Sequence, residues 1–128
     1  MSKNHFLLAF LCSFCFSLNA SADYIDGQRA YASGDYEAAI LEWTQVAQDG
    51  NARAQYNLGW MHANGRGIAQ DFQEAIKWYT KAAEQGNVNA QYNLGNLYLR
   101  GQGASQNDNL AFSWFIKAAE QGDAPAQY

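Results

Sequence analysis

Apolar residues recur along this chain at the spacing of one helix face. Phe72, Ala75, Ile76, Tyr79, Ala82 and Ala83 stand at i, i+3, i+4, i+7, i+10 and i+11; a helix gathers all six on one side, whereas a strand divides them between two faces. Leu110, Ala111, Trp114, Phe115 and Ala118 repeat the theme. Short polar residues mark where such helices begin. Asn51 and Asn87 are suited to cap the helices that follow them, since a short polar side chain accepts a bond from an orphan amide. Asp71, with Glu74 three residues on, predicts a capping box. Asn107 takes the same position without a glutamate, so a weaker start is expected there. Helix ends are expected at Asn64-Gly65 and Arg100-Gly101, where glycine tolerates the left-handed conformation, and at Gly86 and Gly122.

The pattern repeats with a period of 36. Residues 50–85 and 86–121 both open Gly-Asn-x-x-Ala-Gln-Tyr-Asn-Leu-Gly and both end Lys-Ala-Ala-Glu-Gln; aligned without gaps, 18 of 36 positions are identical. Each unit reads as two antiparallel helices. Residues 23–49 form a shorter, diverged hairpin, in which Gly34 runs directly into the second helix, and residues 122–128 begin another unit. The fold class expected is all-α: an α-solenoid of antiparallel helix pairs, with one continuous core buried between neighbours. Gly59 and Gly95, at one repeat position inside helices, predict a close approach of two backbones, and Ala82-Ala83 with Ala118-Ala119 a second one. Trp43, Trp78 and Trp114 recur at or near one position and are expected in the core. His62, matched by Tyr98, is expected to fill a shared ring slot.

The first 22 residues stand apart. Residues 6–18 are uncharged and mostly apolar, Lys3 precedes them, and Ala20-Ser21-Ala22 follows. This is the layout of a secretory signal peptide, cleaved after Ala22. Its apolar run of 13 falls short of the roughly 20 residues that span a bilayer, so no membrane span is expected after cleavage. Cys12 and Cys15 leave with it, and the chain from Asp23 onward has no cysteine to form a disulfide. That mature portion carries seven basic and twelve acidic side chains, net −5. An acidic balance argues against a nucleic-acid partner, which requires a basic stripe. The many aromatics argue against a disordered chain.

The motifs Ala-Gln-Tyr-Asn-Leu-Gly, Gly-x-Gly (Gly65-Arg66-Gly67; Gly101-Gln102-Gly103) and Lys-Ala-Ala-Glu-Gln-Gly resemble the Sel1-like repeat, an all-α relative of the tetratricopeptide repeat with a longer, glycine-bearing turn. The resemblance is strong from residue 50 onward, and residues 23–49 are closer to a plain tetratricopeptide hairpin. It implies a non-catalytic scaffold for protein–protein contacts, in bacteria often in envelope or host-interaction settings. Some members are stapled by disulfides, and this chain departs from that branch.

In a solenoid the first helix of each unit builds the inner wall. Arg53, Asn57, Trp60 and Asn64 lie at i, i+4, i+7 and i+11; Asn89, Asn93, Asn96 and Arg100 take the same places one unit later. These eight, beside the expected core stripe of Leu58, Met61, Leu94 and Leu97, are the candidate partner-binding residues. Carboxamides both donate to and accept from a peptide backbone, and Trp and Arg often dominate interface energies. With one histidine and no cysteine after Ala22, neither a zinc site nor a Cys/His nucleophile can be assembled. The Gly-x-Gly turns follow no strand and precede no Lys-Ser pair, so they are not phosphate loops. No cofactor and no catalytic site are expected. The expected role is a periplasmic or secreted adaptor that binds a peptide or protein; the alternative is an envelope module that handles carbohydrate through its aromatics.

Overall fold

The computed structural model describes residues 24–122. The expected signal peptide lies outside the described residues, as does the expected further repeat beyond Gly122. Six helices follow one another, with no strand among the described residues: α1 (24–32), α2 (Tyr36–Gln48), α3 (Ala52–Asn64), α4 (Phe72–Glu84), α5 (Val88–Arg100) and α6 (Asp108–Glu120). From α2 onward each helix packs on the next, and α3 also touches α5. This is an α-solenoid of helix pairs, with α1, α3 and α5 as first helices and α2, α4 and α6 as second helices.

The capping residues act where their chemistry requires. The side chains of Asn51 and Asn87 accept from the amides of Ala54 and Ala90 at 3.0 and 2.9 Å. Asp71 accepts from two amides, Gln73 and Glu74, and Asn107 from one, Leu110. The capping box expected at Asp71 is only half formed. The Asp71 amide donates to the His62 carbonyl at 2.9 Å, and Glu74 turns instead to Lys77, 3.7 Å away. Asn107 repeats the arrangement, its amide bonded to the Tyr98 carbonyl at 3.0 Å. The long turn is thus pinned to the end of its own first helix by backbone rather than by a glutamate.

The two glycines of each Gly-x-Gly turn have different tasks. Gly65 and Gly101 terminate α3 and α5 in the left-handed region, at φ 61° and 66°. Gly67 and Gly103 lie against the preceding repeat. A Cβ at Gly67 would collide with Tyr36, and one at Gly103 would lie 2.6 Å from the Phe72 backbone. The second glycine is therefore an inter-repeat contact.

The close approach at Gly59 and Gly95 is made by rings, not by a second backbone. An added Cβ would lie 2.5 Å from Cδ1 of Tyr79 and 2.6 Å from Cε1 of Phe115; at Gly27 it would collide with Trp43. Trp43, Tyr79 and Phe115 are spaced by one period, so each covers the glycine of its own unit. Trp43 accordingly does not share a slot with Trp78 and Trp114. The preceding unit has Glu42 at that position. Trp78, 7% exposed, reaches the core formed between α2 and α3, while Trp114 is half-buried beside the core of α4 and α5.

Two buried glutamines set the spacing between repeats. Gln55 donates to the Ala47 carbonyl at 3.1 Å and accepts from Gln85 at 2.8 Å; Gln91 bonds Ala83 and Gln121 with the same two distances. A buried carboxamide needs such partners, because an unmade bond there costs about 1–3 kcal/mol.

Candidate partner-binding groove

The first helices expose one polar and aromatic column. Arg53, Asn64, Asn89 and Arg100 are exposed, and Asn57, Trp60, Asn93 and Asn96 are half-buried. Leu58, Met61, Leu94 and Leu97 are buried beside them. The i, i+4, i+7 spacing thus marks positions that stand exposed or half-buried beside the buried stripe. Along this column two clefts meet at Trp60.

The first cleft, about 350 Å³, lies between α1 and α3. Asn57 and Trp60 line it together with Tyr24, Gln28, Tyr31 and Tyr56. No ionisable carboxylate or ammonium side chain lines it, so rings and carboxamides dominate its chemistry. The second cleft, about 360 Å³, lies between α3 and α5 and brings together Trp60, Asn64, Asn93, Asn96 and Arg100 with Gln102 of the long turn. Arg53 and Asn89 line neither cleft. They sit in the first turns of α3 and α5, at the opposite end from the long turn that walls the second cleft.

Trp60 is held from two sides. The Tyr31 ring meets it edge-on at 6.2 Å, and the Arg66 guanidinium stands 5.8 Å from its centroid while also covering Tyr36 at 5.4 Å. An indole fixed in this way loses little side-chain entropy when a ligand stacks on it. Asn64 donates to the Trp60 carbonyl at 2.9 Å, which serves the end of α3 and leaves part of its amide committed. Asn93 donates to the Tyr79 hydroxyl at 3.4 Å. Burial pushes the Tyr79 hydroxyl well above the ordinary tyrosine range, and neighbouring Tyr56 adds to the rise while Asn93 opposes it. Tyr56 is raised by burial as well, against the same asparagine. Both rings are therefore neutral hydrogen-bonding groups at physiological pH.

Sequence reasoning missed the contribution of α1. Tyr24, Gln28 and Tyr31 are spaced i, i+4, i+7, the same stripe that marked α3 and α5, but the diverged unit lacks the motif that supplied the register. Gln102 was also missed, because the path of a turn around its two glycines is set by the neighbouring repeat. Among the described residues no cluster of three or more His, Cys, Asp or Glu is placed to hold a metal, and no helix is long and apolar enough to cross a membrane.

Stacked helix pairs and a groove along their first helices define a helical repeat protein of the kind that generally mediates protein–protein contacts. The family model for the Sel1 repeat matches residues 52–87 and 88–123, and the chain belongs to the Sel1 repeat family. Among solved structures, it is similar to a protective antigen of uropathogenic Escherichia coli displaying an SLR fold, at 34% identity and a TM-score of 0.80 over 84% of this chain and 24% of the antigen. A Sel1 repeat protein from Oxalobacter formigenes is 38% identical with a TM-score of 0.76, covering 80% of this chain and 42% of that one. Cysteine rich protein B of Helicobacter pylori shares the fold at 18% identity and a TM-score of 0.73, over 89% and 90% of the two chains. The chain thus spans about a quarter of the Escherichia coli antigen and under half of the Oxalobacter protein. No curated protein matches the sequence.

Proposed function

We propose that this protein is a non-catalytic adaptor of the bacterial envelope, secreted or periplasmic, that holds a peptide or a segment of a partner protein along the concave face made by α1, α3 and α5. The observation that carries this reading is the paired clefts on either side of a pre-positioned Trp60, with carboxamides of Asn57, Asn93 and Asn96 on the walls. A groove of alternating ring and amide suits an extended backbone, whose own groups need donors and acceptors at intervals. The envelope setting rests on the leader-like residues 1–22.

A photo-crosslinker at Asn57 or Asn96 should capture one and the same partner from the envelope fraction, and one at Leu41, which is 75% exposed outside the groove, should not. Trp60→Ala should reduce that capture about tenfold or more, as loss of a central aromatic anchor does. Equal capture from all three positions would refute the groove. A second reading is favoured by the first cleft, where tyrosine and tryptophan rings stand beside the carboxamides of Gln28 and Asn57 without a charge. That lining suits the apolar face and hydroxyls of a neutral sugar. Titration with soluble glycan fragments, read by tryptophan fluorescence, decides it: a saturable change favours carbohydrate, and a flat trace removes it.

A further inference from the structure

The second cleft differs from the first in one respect, and the difference lies in charge. Of the residues lining it, Arg100 is the sole ionisable cation, and no carboxylate lines it. Among the described residues the ion pairs are Arg29–Asp26 and Lys77–Glu74, so Arg100 has no acidic partner there. Capping of its own helix does not occupy it either. The Leu97 carbonyl receives the Gln102 amide at 2.9 Å, and the Tyr98 carbonyl receives that of Asn107 at 3.0 Å. One period earlier the same position is Asn64, which is neutral and bonded to the Trp60 carbonyl. A guanidinium has thus been placed at one repeat alone, beside the carboxamides of Asn96 and Gln102, in a protein whose net charge is −4.

We propose that this cleft is a carboxylate subsite: Arg100 takes the two oxygens of a ligand carboxylate, and the amide groups of Asn96 and Gln102 donate to its edges. The inference rests on the reading of the groove as a peptide site and adds the chemistry of one end of the ligand. Guanidinium matches carboxylate geometry with two parallel bonds, and the lack of acidic groups in the lining removes competition for it. The carboxylate comes from a chain terminus or from an Asp or Glu side chain, and both present the same group to Arg100.

Three blocked tripeptides separate the sources: N-acetyl-Ala-Ala-Ala with a free carboxylate, its C-terminal amide, and N-acetyl-Ala-Glu-Ala amide. Binding to the purified chain is followed by nuclear magnetic resonance of the Arg100, Asn96 and Gln102 side-chain nitrogens. At least one carboxylate peptide should bind about tenfold more tightly than the all-amide form, as a charge-assisted bond provides, and Arg100→Gln should erase the difference with the fold intact by circular dichroism. If the free acid alone is preferred the ligand presents a terminus; if the glutamate peptide is preferred, it presents a side chain. An amide peptide that binds as tightly, no movement of these resonances with any peptide, or a preference that survives Arg100→Gln overturns the subsite. These outcomes are separate from crosslinked capture at Asn57, which tests the groove as a whole.

Discussion

At the scale of single residues, the repeat is organised by a ring resting on a glycine. Gly59 gives up roughly 1 kcal/mol of helix propensity relative to alanine, yet a Cβ there would lie 2.5 Å from a Tyr79 ring that is 2% exposed. The ring has no room to retreat, so overpacking outweighs propensity. Gly59→Ala should destabilise the protein by about 1–3 kcal/mol, measured by denaturant unfolding. An unchanged midpoint would place the ring elsewhere. Tyr79 also makes stability fall in alkali. Its folded pKa lies above the unfolded value of 10.0, so its contribution is complete below pH 10 and is lost as the pH rises beyond that, because the unfolded chain releases the proton first. Phenolate absorbance followed against pH should show an ionisation displaced upward for this tyrosine, and to a smaller extent for Tyr56. Titration of every tyrosine together near the ordinary value would contradict the burial.

At the scale of elements, the two full repeats agree at a set of packing positions and differ at two positions that line the second cleft. Ala54/Ala90, Gln55/Gln91, Leu58/Leu94 and Gly59/Gly95 are identical pairs, all buried. Trp60/Asn96 and Asn64/Arg100 differ, and all four line the second cleft. Helix packing demands the same shape at each step, but a ligand with distinct parts does not. The glutamine relay is the most specific of the packing features. Gln55→Ala would remove its bond to the Ala47 carbonyl, which keeps the Gly50 amide at 3.0 Å, and the acceptor for Gln85; two bonds of about 0.5–1.5 kcal/mol each are lost. Gln85→Ala, at an exposed residue, should cost less. Comparing the two midpoints checks which carboxamide is buried.

At the scale of the whole molecule, stability is the sum of interfaces between neighbours. Trp78 belongs to one such interface: it sits on α4 yet packs in the core of α2 and α3. Trp78→Ala should cost about 3–5 kcal/mol and loosen the first two helix pairs together, visible as hydrogen exchange that speeds up across α2 and α3 as well as α4. Exchange altered in α4 alone would show that the repeats do not couple through this ring. The envelope assignment is tested at the same scale. Amino-terminal sequencing of the protein recovered from its native host should begin at Asp23, and a chain that retains Met1 would remove that part of the proposal.

Periodicity, caps and the helical count of each unit were legible from the order of residues alone, because helix phase and capping are local: three or four neighbouring side chains decide them. The face that carries Trp60 and the carboxamides followed from the same phase. What the order of residues left open were contacts that depend on the neighbouring layer. Which ring covers Gly59, why Gln55 is buried, how Tyr24 and Tyr31 complete a cleft and where Gln102 lies are all set by atoms of neighbouring helices. A second glycine in the turn reads as freedom in a linear sequence and becomes a tight contact once Tyr36 stands against it. Local geometry therefore determined the helices, and packing between repeats alone decided the groove.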